Sequence, residues 1–266
     1  MSPITQSEKK KVKSLLTRKG RDAHRQFVAE GIRLLEESIH HQWLPRKIYY
    51  AASRLGSRGE ELLEKFRRLE VETAAVSARD LEQMTDTEIS QGLLGLFDIP
   101  QASCDHFMKS DCRNILLLDN ISDPGNAGTL IRSALAFEFD YVIVTGSTVE
   151  PFNPKIIRSS AGAFFGIPTI SLSSGQIASL KKEKGMTLMT ADPTGEPLAK
   201  IVGRLRPDTK IILGIGSEAA GLSEPIRDLA DYRLRIIHNN NVESLNAAVA
   251  GSIIMRELFD IRKLRG

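Results

Sequence analysis

The fold of this chain is indicated most clearly by a glycine-rich polar stretch, Gly214-Ile215-Gly216-Ser217-Glu218-Ala219-Ala220-Gly221-Leu222, which follows the strand-like run 210–213. A second stretch, Val242-Glu243-Ser244-Leu245-Asn246, comes after the strand-like run 232–237. Parallel α/β sheets place their ligand sites in the loops that follow strand ends. The two stretches therefore predict two loops of a ligand site.

A third segment lies upstream: Asp119-Asn120-Ile121-Ser122-Asp123-Pro124-Gly125-Asn126-Ala127-Gly128-Thr129-Leu130-Ile131-Arg132. It follows the apolar run 115–118, which is typical of a buried strand. Its Asp-Pro-Gly-Asn sequence predicts a turn, and the apolar spacing after it predicts a helix over 127–138. Gly128 and Arg132 are four residues apart, so they share a face of that helix, and the glycine leaves room beside the Arg132 guanidinium.

Strand-like and helix-like segments alternate from Asn114 to the end of the chain. Strands are predicted over 114–119, 141–145, 167–171, 187–191, 210–215 and 232–237. Helices are predicted over 127–138, 153–162, 174–183, 221–229 and 244–259, with Ser244 as the N-cap of the last. This alternation indicates an α/β fold with a mostly parallel sheet covered on both faces. The pattern alone indicates only a generic nucleotide-binding α/β domain, because periodicity does not reveal chain threading.

The first hundred residues predict a smaller α/β domain. Helices are predicted from Lys9 and over 30–40, 59–69 and 81–87, and strands over 47–51 and 91–98. The Pro, Ser, Asp and Lys residues that follow show little periodicity and indicate a linker. We therefore predict a domain over 1–100, a linker over 101–112 and a second domain over 113–266.

The charge of the chain is unevenly distributed. Residues 1–70 hold 16 Lys/Arg and 9 Asp/Glu, a net charge of +7, although the whole chain carries only +3. A basic face beside a nearly neutral domain favours a phosphate-rich partner, and the alternative is a solvated basic tail.

Several protein classes do not fit the sequence. No run of about 18 apolar residues occurs, so no transmembrane helix and no membrane association are expected. The lysine-rich N-terminus lacks the apolar segment of a secretory signal. The two cysteines, Cys104 and Cys112, make neither a disulfide framework nor a metal site. Reduced thiols in a cytoplasmic protein are the expectation.

Together the three segments resemble the three motifs of the SpoU/TrmH family of RNA ribose 2′-O-methyltransferases, within the SPOUT superfamily. The first motif is matched by 126–132, the second by Gly216-Ser217-Glu218 with Gly221-Leu222, and the third by Ser244-Leu245-Asn246. Residues 14–21 and 27–35 resemble the substrate-binding domain that many rRNA-directed members carry. The resemblance implies a C-terminal trefoil-knotted methyltransferase domain, a smaller N-terminal RNA-binding domain, S-adenosylmethionine as cofactor and large-subunit rRNA as substrate. It also implies a homodimer in which Arg132 of one subunit approaches the cofactor of the other.

The resemblance assigns roles to individual residues. Arg132 contacts the phosphate and orients or polarises the 2′-hydroxyl, since a free guanidinium is a poor base. Asn126, in the turn before the helix, fixes Arg132 or the ribose. Glu218 orients Asn126 or Arg132, or contributes negative potential near the sulfonium. The implied catalytic residues are Arg132, Asn126, Glu218, Ser244 and Asn246. The implied cofactor-binding residues are Leu213, Gly214, Gly216, Ser217, Gly221, Ile236, His238, Ser244 and Leu245. The implied RNA-binding residues are Arg18, Lys19, Arg21, Lys155 and Arg158, and no metal is implied.

One segment departs from the family pattern. Many members carry an Ile-Pro-Met-x-Gly-like run before the Ser-Leu-Asn motif, and this chain has Ile236-Ile237-His238-Asn239-Asn240 instead. The departure motivates an alternative function, a non-catalytic RNA-binding or ribosome-assembly factor, and a tRNA substrate is also open. A Rossmann dehydrogenase does not fit, because Gly214, Gly216 and Gly221 lack the G-x-G-x-x-G spacing. The sequence does not determine which RNA or which nucleotide is modified, or which group accepts the proton. It also leaves open whether the substrate is free RNA or an assembled ribosomal particle.

Overall fold

The computed structural model describes residues 4–87, 90–100, 107, 110–146, 148–239 and 241–265. The chain folds into two compact units. We call them the N-terminal unit, Met1–Gln101 with Glu150–Gly166, and the C-terminal unit, Ala102–Val149 with Ile167–Gly266.

The described helices and strands are numbered in chain order. The helices are α1 (Gln6–Ser14), α2 (Arg18–His24), α3 (Ile32–His40), α4 (Ser57–Arg68), α5 (Ala78–Met84), α6 (Pro124–Ala136), α7 (Pro154–Ser159), α8 (Ser174–Lys184), α9 (Leu198–Val202), α10 (Glu224–Asp228) and α11 (Ala247–Arg265). The strands are β1 (Gln26–Glu30), β2 (Lys47–Tyr50), β3 (Glu72–Ala75), β4 (Leu93–Asp98), β5 (Asn114–Asp119), β6 (Tyr141–Thr145), β7 (Thr169–Ser171), β8 (Thr187–Pro197), β9 (Ile211–Gly216) and β10 (Tyr232–Arg235). Short 3-10 helices cover Ala52–Arg54 and Ala163–Phe165.

The N-terminal unit contains a four-stranded mixed sheet in the order β1-β4-β2-β3. Strand β4 runs antiparallel to both β1 and β2, whereas β2 and β3 are parallel. Fully buried side chains such as Val12, Leu15, Tyr49 and Leu81 pack helices α1 and α5 against this sheet. The predicted small α/β domain is therefore present.

The segment Glu150–Gly166 lies within the predicted second domain, 113–266, but packs as part of the N-terminal unit. The physical reason is aromatic packing, because Phe152 and Phe164 approach Phe27 of β1 with ring centroids 5.2 and 5.9 Å apart. Phe164 also stacks on Trp43 at 5.8 Å. Contacts of this kind join residues far apart in sequence, and periodicity does not predict them.

The C-terminal unit contains a six-stranded sheet in the order β10-β8-β9-β5-β6-β7, in which every pairing is parallel. The central strand β5 pairs with β9 so that Asp119 stands opposite Gly216. The carboxyl ends of these two strands are therefore adjacent, and the first and second motifs begin there. The predicted α/β fold with a parallel sheet is confirmed. The threading of the C-terminal segment into a knot stays a prediction.

Two further features bear on the class of the protein. No helix in the described part of the chain is both long and apolar enough to cross a membrane. Cys112 is a buried free thiol, and burial raises its pKa. Cys104 lies outside the described residues.

Candidate active site

The first motif forms the start of helix α6. The Asp123 carboxylate accepts a hydrogen bond from the Asn126 N–H at 2.7 Å, and Pro124 occupies the first helical position. An aspartate N-cap followed by proline is a strong helix start, so α6 begins at Pro124 and not at the predicted residue 127. Asn126 therefore lies in the first turn of the helix, not in a turn before it. Arg132 lies further along the same helix and is exposed.

The second motif forms a closed loop after β9. Ser217 and Gly221 exchange backbone hydrogen bonds of 3.2 and 3.0 Å, and Gly221 has a φ of +65°. A Cβ on Gly216 would stand 2.4 Å from the carbonyl carbon of Gly221, so only glycine fits there. The Ser223 N–H beyond the loop donates to the buried carboxylate of Asp119 at 2.5 Å. The loop is thus held at both ends, with Glu218 inside it.

The third motif forms the N-terminus of helix α11. The side-chain oxygen of Asn246 accepts hydrogen bonds from the N–H groups of Ala248 and Val249 at 3.0 and 3.2 Å, and its backbone carbonyl accepts from Ala250. Asn246 is therefore the N-cap. The prediction that Ser244 caps this helix is wrong, since the helix begins three residues later than expected at Ala247.

One carboxylate oxygen joins the three motifs. Glu218 Oε1 accepts from Asn246 Nδ2 at 2.6 Å, from the Ala247 N–H at 3.1 Å and from Asn126 Nδ2 at 3.3 Å. Asn246 Nδ2 also donates to Asn126 Oδ1 at 2.9 Å. We call these three side chains, Asn126, Glu218 and Asn246, the motif network. Hydrogen bonds to a charged acceptor are stronger than neutral ones, so the network fixes the relative positions of the loops.

A cavity of about 360 Å³ lies beside the motif network. This volume is within the range of roughly 300–1,000 Å³ that is usual for small-molecule sites. Seven of the predicted cofactor-binding residues line it: Gly216, Ser217, Gly221, Ile236, His238, Ser244 and Leu245. Leu213 and Gly214 do not line it, because they lie inside β9, where Leu213 is fully buried and Gly214 faces the Thr190 side chain.

Part of the cavity wall was not predicted from the sequence. Strand β10 pairs Arg233 with Thr190 but Leu234 with Glu196, so residues 191–195 of β8 bulge out of the sheet. We call this segment the β8 bulge. Ala191, Asp192 and Pro193 of the bulge line the cavity, together with Leu234 and Arg235 of β10. The Asp-Pro-Thr-Gly run at 192–195 is the only sequence signal for it, since such runs are typical of turns.

The segment that departs from the family pattern still contributes to the cavity. His238 lines it, and its Nδ1 lies 3.0 Å from the carbonyl oxygen of Asn239. The Asn239 side chain accepts from the Asn241 N–H at 2.9 Å, which is a local bond typical of an asparagine turn. The chain therefore turns here without the Pro, Met and Gly of the usual run.

Arg132 stands apart from these contacts. It makes no hydrogen bond or ion pair with any residue that the structure describes, and it is not among the residues lining the cavity. None of its guanidinium donors is therefore paired with a described residue. Within the described ranges, no cluster of His, Cys, Asp and Glu could hold a metal ion.

A second cavity, of about 390 Å³, lies at the amino ends of β8 and β9. Four cationic residues line it, but each bonds a nearby acceptor: Lys184 to Ser110, Arg204 to Glu196, Arg206 to Asp208 and Lys210 to Asp111. Its charge is therefore largely neutralised locally.

Comparison with known proteins agrees with the motif geometry. Residues 113–256 match the SpoU rRNA methylase family, and residues 7–95 match the MRM3-like substrate binding domain. The chain belongs to the SpoU family. One relative is RlmP of Bacillus subtilis, a 23S rRNA (guanosine(2553)-2′-O)-methyltransferase. The two sequences are 28% identical over 97% of this chain and 99% of RlmP. The 23S rRNA (uridine(2479)-2′-O)-methyltransferase of Streptomyces viridochromogenes is 28% identical over 87% of this chain and 82% of its own.

A solved structure of the family superposes on nearly the whole chain. The SpoU methyltransferase AviRb of Streptomyces viridochromogenes, in complex with AdoMet, is 27% identical, with a TM-score of 0.85 over 97% of this chain and 99% of that chain. The predicted membership of the SpoU family is confirmed, including the N-terminal substrate-binding domain.

The RNA-binding residues predicted in the substrate-binding domain fall into two groups. Arg18 and Lys19 are exposed on α2. Arg21 is buried: its guanidinium binds the Glu150 carboxylate at 2.6 and 2.8 Å and the Leu15 carbonyl at 2.8 Å. Arg21 therefore has a structural role in this SpoU chain, and the prediction that it binds RNA does not fit its burial.

The predicted pair on the segment 150–166 is similarly divided. Lys155 is exposed at the start of α7. Arg158 forms a two-pronged ion pair with Asp86 of the N-terminal unit, in which the second contact is 3.2 Å. A guanidinium with both prongs engaged is less available to a phosphate than the Lys155 ammonium.

Replacement of Arg21 by alanine is expected to destabilise the N-terminal unit by about 3–5 kcal/mol, because the Glu150 carboxylate, only 14% exposed, would lose its counter-charge. The measurement is urea unfolding followed by tryptophan fluorescence, since Trp43 lies in this unit. Arg18→Ala is the matched control on the same helix. The Arg18 side chain is 73% exposed, and its ion pair with Asp22 is long, at 3.7 Å. Its expected effect is below about 0.5 kcal/mol. Equal effects of the two variants would contradict the structural role of Arg21.

Proposed function

We propose that this chain transfers a methyl group from S-adenosylmethionine to a ribose 2′-hydroxyl of large-subunit ribosomal RNA. The observation that carries the proposal is the motif network, in which Glu218 Oε1 joins Asn126 and Asn246 beside the cavity. The activities printed for the relatives, ribose 2′-O-methylation of 23S rRNA, and the AdoMet bound to AviRb support it.

The cavity fits a nucleoside cofactor. Leu234, Ile236, Leu245 and Ile254 supply apolar walls for a purine, and the loop from Gly216 to Gly221 offers close backbone approach. Asp192 and Glu218 add carboxylates in a site whose ligand carries a positive charge. When bound, S-adenosylmethionine supplies an activated methyl group on its sulfonium.

The protein residues have two tasks in the transfer. The motif network positions the loops so that the hydroxyl can approach in line with the departing sulfur. Arg132 binds the phosphate next to the target ribose with two parallel hydrogen bonds and polarises the 2′-hydroxyl as its proton leaves. Because the guanidinium has no partner among the described residues, no contact with them has to break first.

The test uses purified protein, radiolabelled S-adenosylmethionine and transcribed or extracted large-subunit rRNA. Nuclease digestion and mass spectrometry identify the product, since a 2′-O-methylated nucleoside is distinguishable from a base-methylated one. We expect label in a single ribose of the large-subunit rRNA. A labelled tRNA would redirect the substrate assignment. Tight RNA binding without cofactor binding would replace the proposal with the non-catalytic assembly factor.

The RNA contacts are proposed for Arg18, Lys19 and Lys155, which are exposed on the N-terminal unit. Their flexible or fork-shaped cations suit phosphate contact, which positions RNA without reading sequence. The cytoplasmic location expected from the cysteine usage stays a prediction.

We also propose a homodimer. Four of the six exposed large apolar side chains in the described part of the chain fall within 237–253: Ile237 (74% exposed), Val242 (50%), Val249 (48%) and Ile253 (37%). Such concentration is typical of an interaction surface. Arg132 is absent from the lining of its own cavity within the described residues, which supports its use at the partner's cofactor.

A mixed dimer tests this arrangement. An Arg132→Ala subunit and a Gly216→Ala subunit, each inactive alone, are co-expressed with different tags and purified through both. If Arg132 acts across the interface, one of the two sites is complete and about half of the wild-type activity per dimer is expected. If Arg132 acts within its own subunit, both sites are defective and the mixed dimer is inactive.

A further inference from the structure

The β8 bulge places a carboxylate in the cofactor cavity. Asp192 lines the cavity and is half-buried. Its Oδ1 accepts from the Thr194 N–H at 2.8 Å and from the Thr194 hydroxyl at 2.7 Å. Its Oδ2 accepts no hydrogen bond from a residue that the structure describes. One oxygen therefore holds the bulge and the other remains for a ligand.

The bulge is held firmly enough to position that oxygen. A Cβ on Gly195 would stand 2.3 Å from the Arg233 carbonyl oxygen, so the backbone of the bulge lies directly against β10. Burial opposes ionisation of Asp192, but the two bonds from Thr194 and the charges of Arg233 and Arg227 outweigh it and lower its pKa. The carboxylate is therefore ionised at neutral pH.

The order of the strands indicates which part of the cofactor meets Asp192. Glu218 follows β9, the bulge interrupts β8, and Leu234 belongs to β10, and the sheet order is β9-β8-β10. Neighbouring strands are about 5 Å apart. The sulfonium that donates the methyl group must lie beside the motif network, next to Glu218. Leu234 of β10 and Ile236 just after it are apolar and suit the adenine. In S-adenosylmethionine the ribose lies between the sulfonium and the adenine, as the bulge lies between β9 and β10.

We propose that Asp192 is a cofactor-specificity residue whose Oδ2 accepts hydrogen bonds from the ribose 2′- and 3′-hydroxyls of S-adenosylmethionine. The inference rests on the proposed use of this cofactor. A carboxylate is suited to a vicinal diol because it accepts two hydrogen bonds and donates none. The other cavity carboxylate, Glu218, is held at Oε1 by hydrogen bonds from the Asn126 and Asn246 amides and from the Ala247 N–H, so it is fixed within the motif network.

The test combines protein variants at Asp192 with cofactor analogues that lack one ribose hydroxyl, and measures whether the two changes affect binding independently. Isothermal titration measures the affinities of S-adenosylhomocysteine and its 2′-deoxy and 3′-deoxy analogues for wild type, Asp192→Ala, Asp192→Asn and the control Asp208→Asn. Asp208 is exposed and precedes β9, whereas the cavity lies at the carboxyl end of that strand, so its variant matches the change in charge away from the site. Asp192→Asn retains an Oδ1 acceptor for Thr194 and should therefore keep the bulge. It serves as the second variant in case Asp192→Ala does not fold.

Wild type and Asp208→Asn are expected to bind at least one deoxy analogue about 10- to 100-fold more weakly than S-adenosylhomocysteine. Asp192→Ala should lose a similar factor for S-adenosylhomocysteine and no longer distinguish the analogues, and Asp192→Asn should lose part of the discrimination. Equal weakening of all three ligands by both Asp192 variants would overturn the diol contact, as would unchanged binding. If wild type binds S-adenosylhomocysteine but shows no coupling, only this inference fails. If wild type binds none of the ligands, the proposed cofactor fails with it.

Discussion

Arg132→Ala is expected to lower methyl transfer by at least about 10²–10³-fold while leaving the affinity for S-adenosylmethionine within about twofold of wild type. The activity falls because Arg132 supplies the only proposed bidentate contact to the phosphate beside the reacting hydroxyl. The cofactor affinity is retained because Arg132 is not part of the described cavity lining. The measurements are single-turnover transfer of labelled methyl to rRNA and calorimetric titration with the cofactor.

Two further variants separate charge from geometry. Arg132→Lys keeps the charge but loses the planar fork, so an intermediate activity is expected. Arg206→Ala removes a guanidinium that is 83% exposed and lies at the opposite end of β9, so it should leave transfer unchanged. Activity retained by Arg132→Ala would remove Arg132 from the mechanism. Loss of cofactor binding by that variant would place it in the cavity instead.

The sequence predicted the parallel sheet well because its strands are buried on both faces. Residues 115–118 are all fully buried in β5, and such strands appear in sequence as continuous apolar runs. The observed bounds of β5 and β6 coincide with the predicted 114–119 and 141–145. The strands of the N-terminal unit were less visible: β1 contains Gln26 and Glu30, and neither it nor α2 was predicted.

The three motifs predicted which loops meet, but not how each side chain is used. The network of Asn126, Glu218 and Asn246 is made of residues 28 to 120 positions apart. The pairing of β5 with β9 brings Asn126 near Glu218, whereas Asn246 follows β10, which β8 separates from β9. Asn246 was expected at the active site and proves also to be the N-cap of α11. One side chain serves both purposes, because its oxygen caps the helix and its amide nitrogen donates to Glu218.

Several features of the site depend on contacts between residues that are distant in sequence. Arg21 was expected to be free because a cluster of basic residues is usually solvated, but the distant Glu150 buries it in an ion pair. Leu213 and Gly214 do not line the cavity because they lie further inside β9 than Ile215 and Gly216, which do, and ligand sites of parallel sheets form at the carboxyl ends of strands. The β8 bulge is not evident in the sequence, because bulges depend on pairing with another strand, here β10.

Gly216→Ala is expected to weaken S-adenosylmethionine binding by at least about 100-fold and to abolish methyl transfer. The added Cβ would lie 2.4 Å from the Gly221 carbonyl carbon and 2.5 Å from the Leu222 nitrogen, and neither backbone atom can rotate away. The loop would have to open between Ser217 and Gly221, which moves Glu218 away from Asn126 and Asn246. A single methyl group would thus disrupt the cavity wall and the motif network together.

Two other glycines give a graded control for this prediction. Gly221→Ala has open space around the new Cβ but must keep a φ of +65°, which costs roughly 1 kcal/mol, so a moderate loss of cofactor affinity is expected. Gly175→Ala, in the first turn of α8, meets no atom within 4 Å and should leave cofactor affinity and stability nearly unchanged. Calorimetric titration of all three variants, with thermal unfolding to verify that each is folded, ranks the effects. If Gly216→Ala bound the cofactor as tightly as Gly175→Ala, the closed loop would not be what shapes the site.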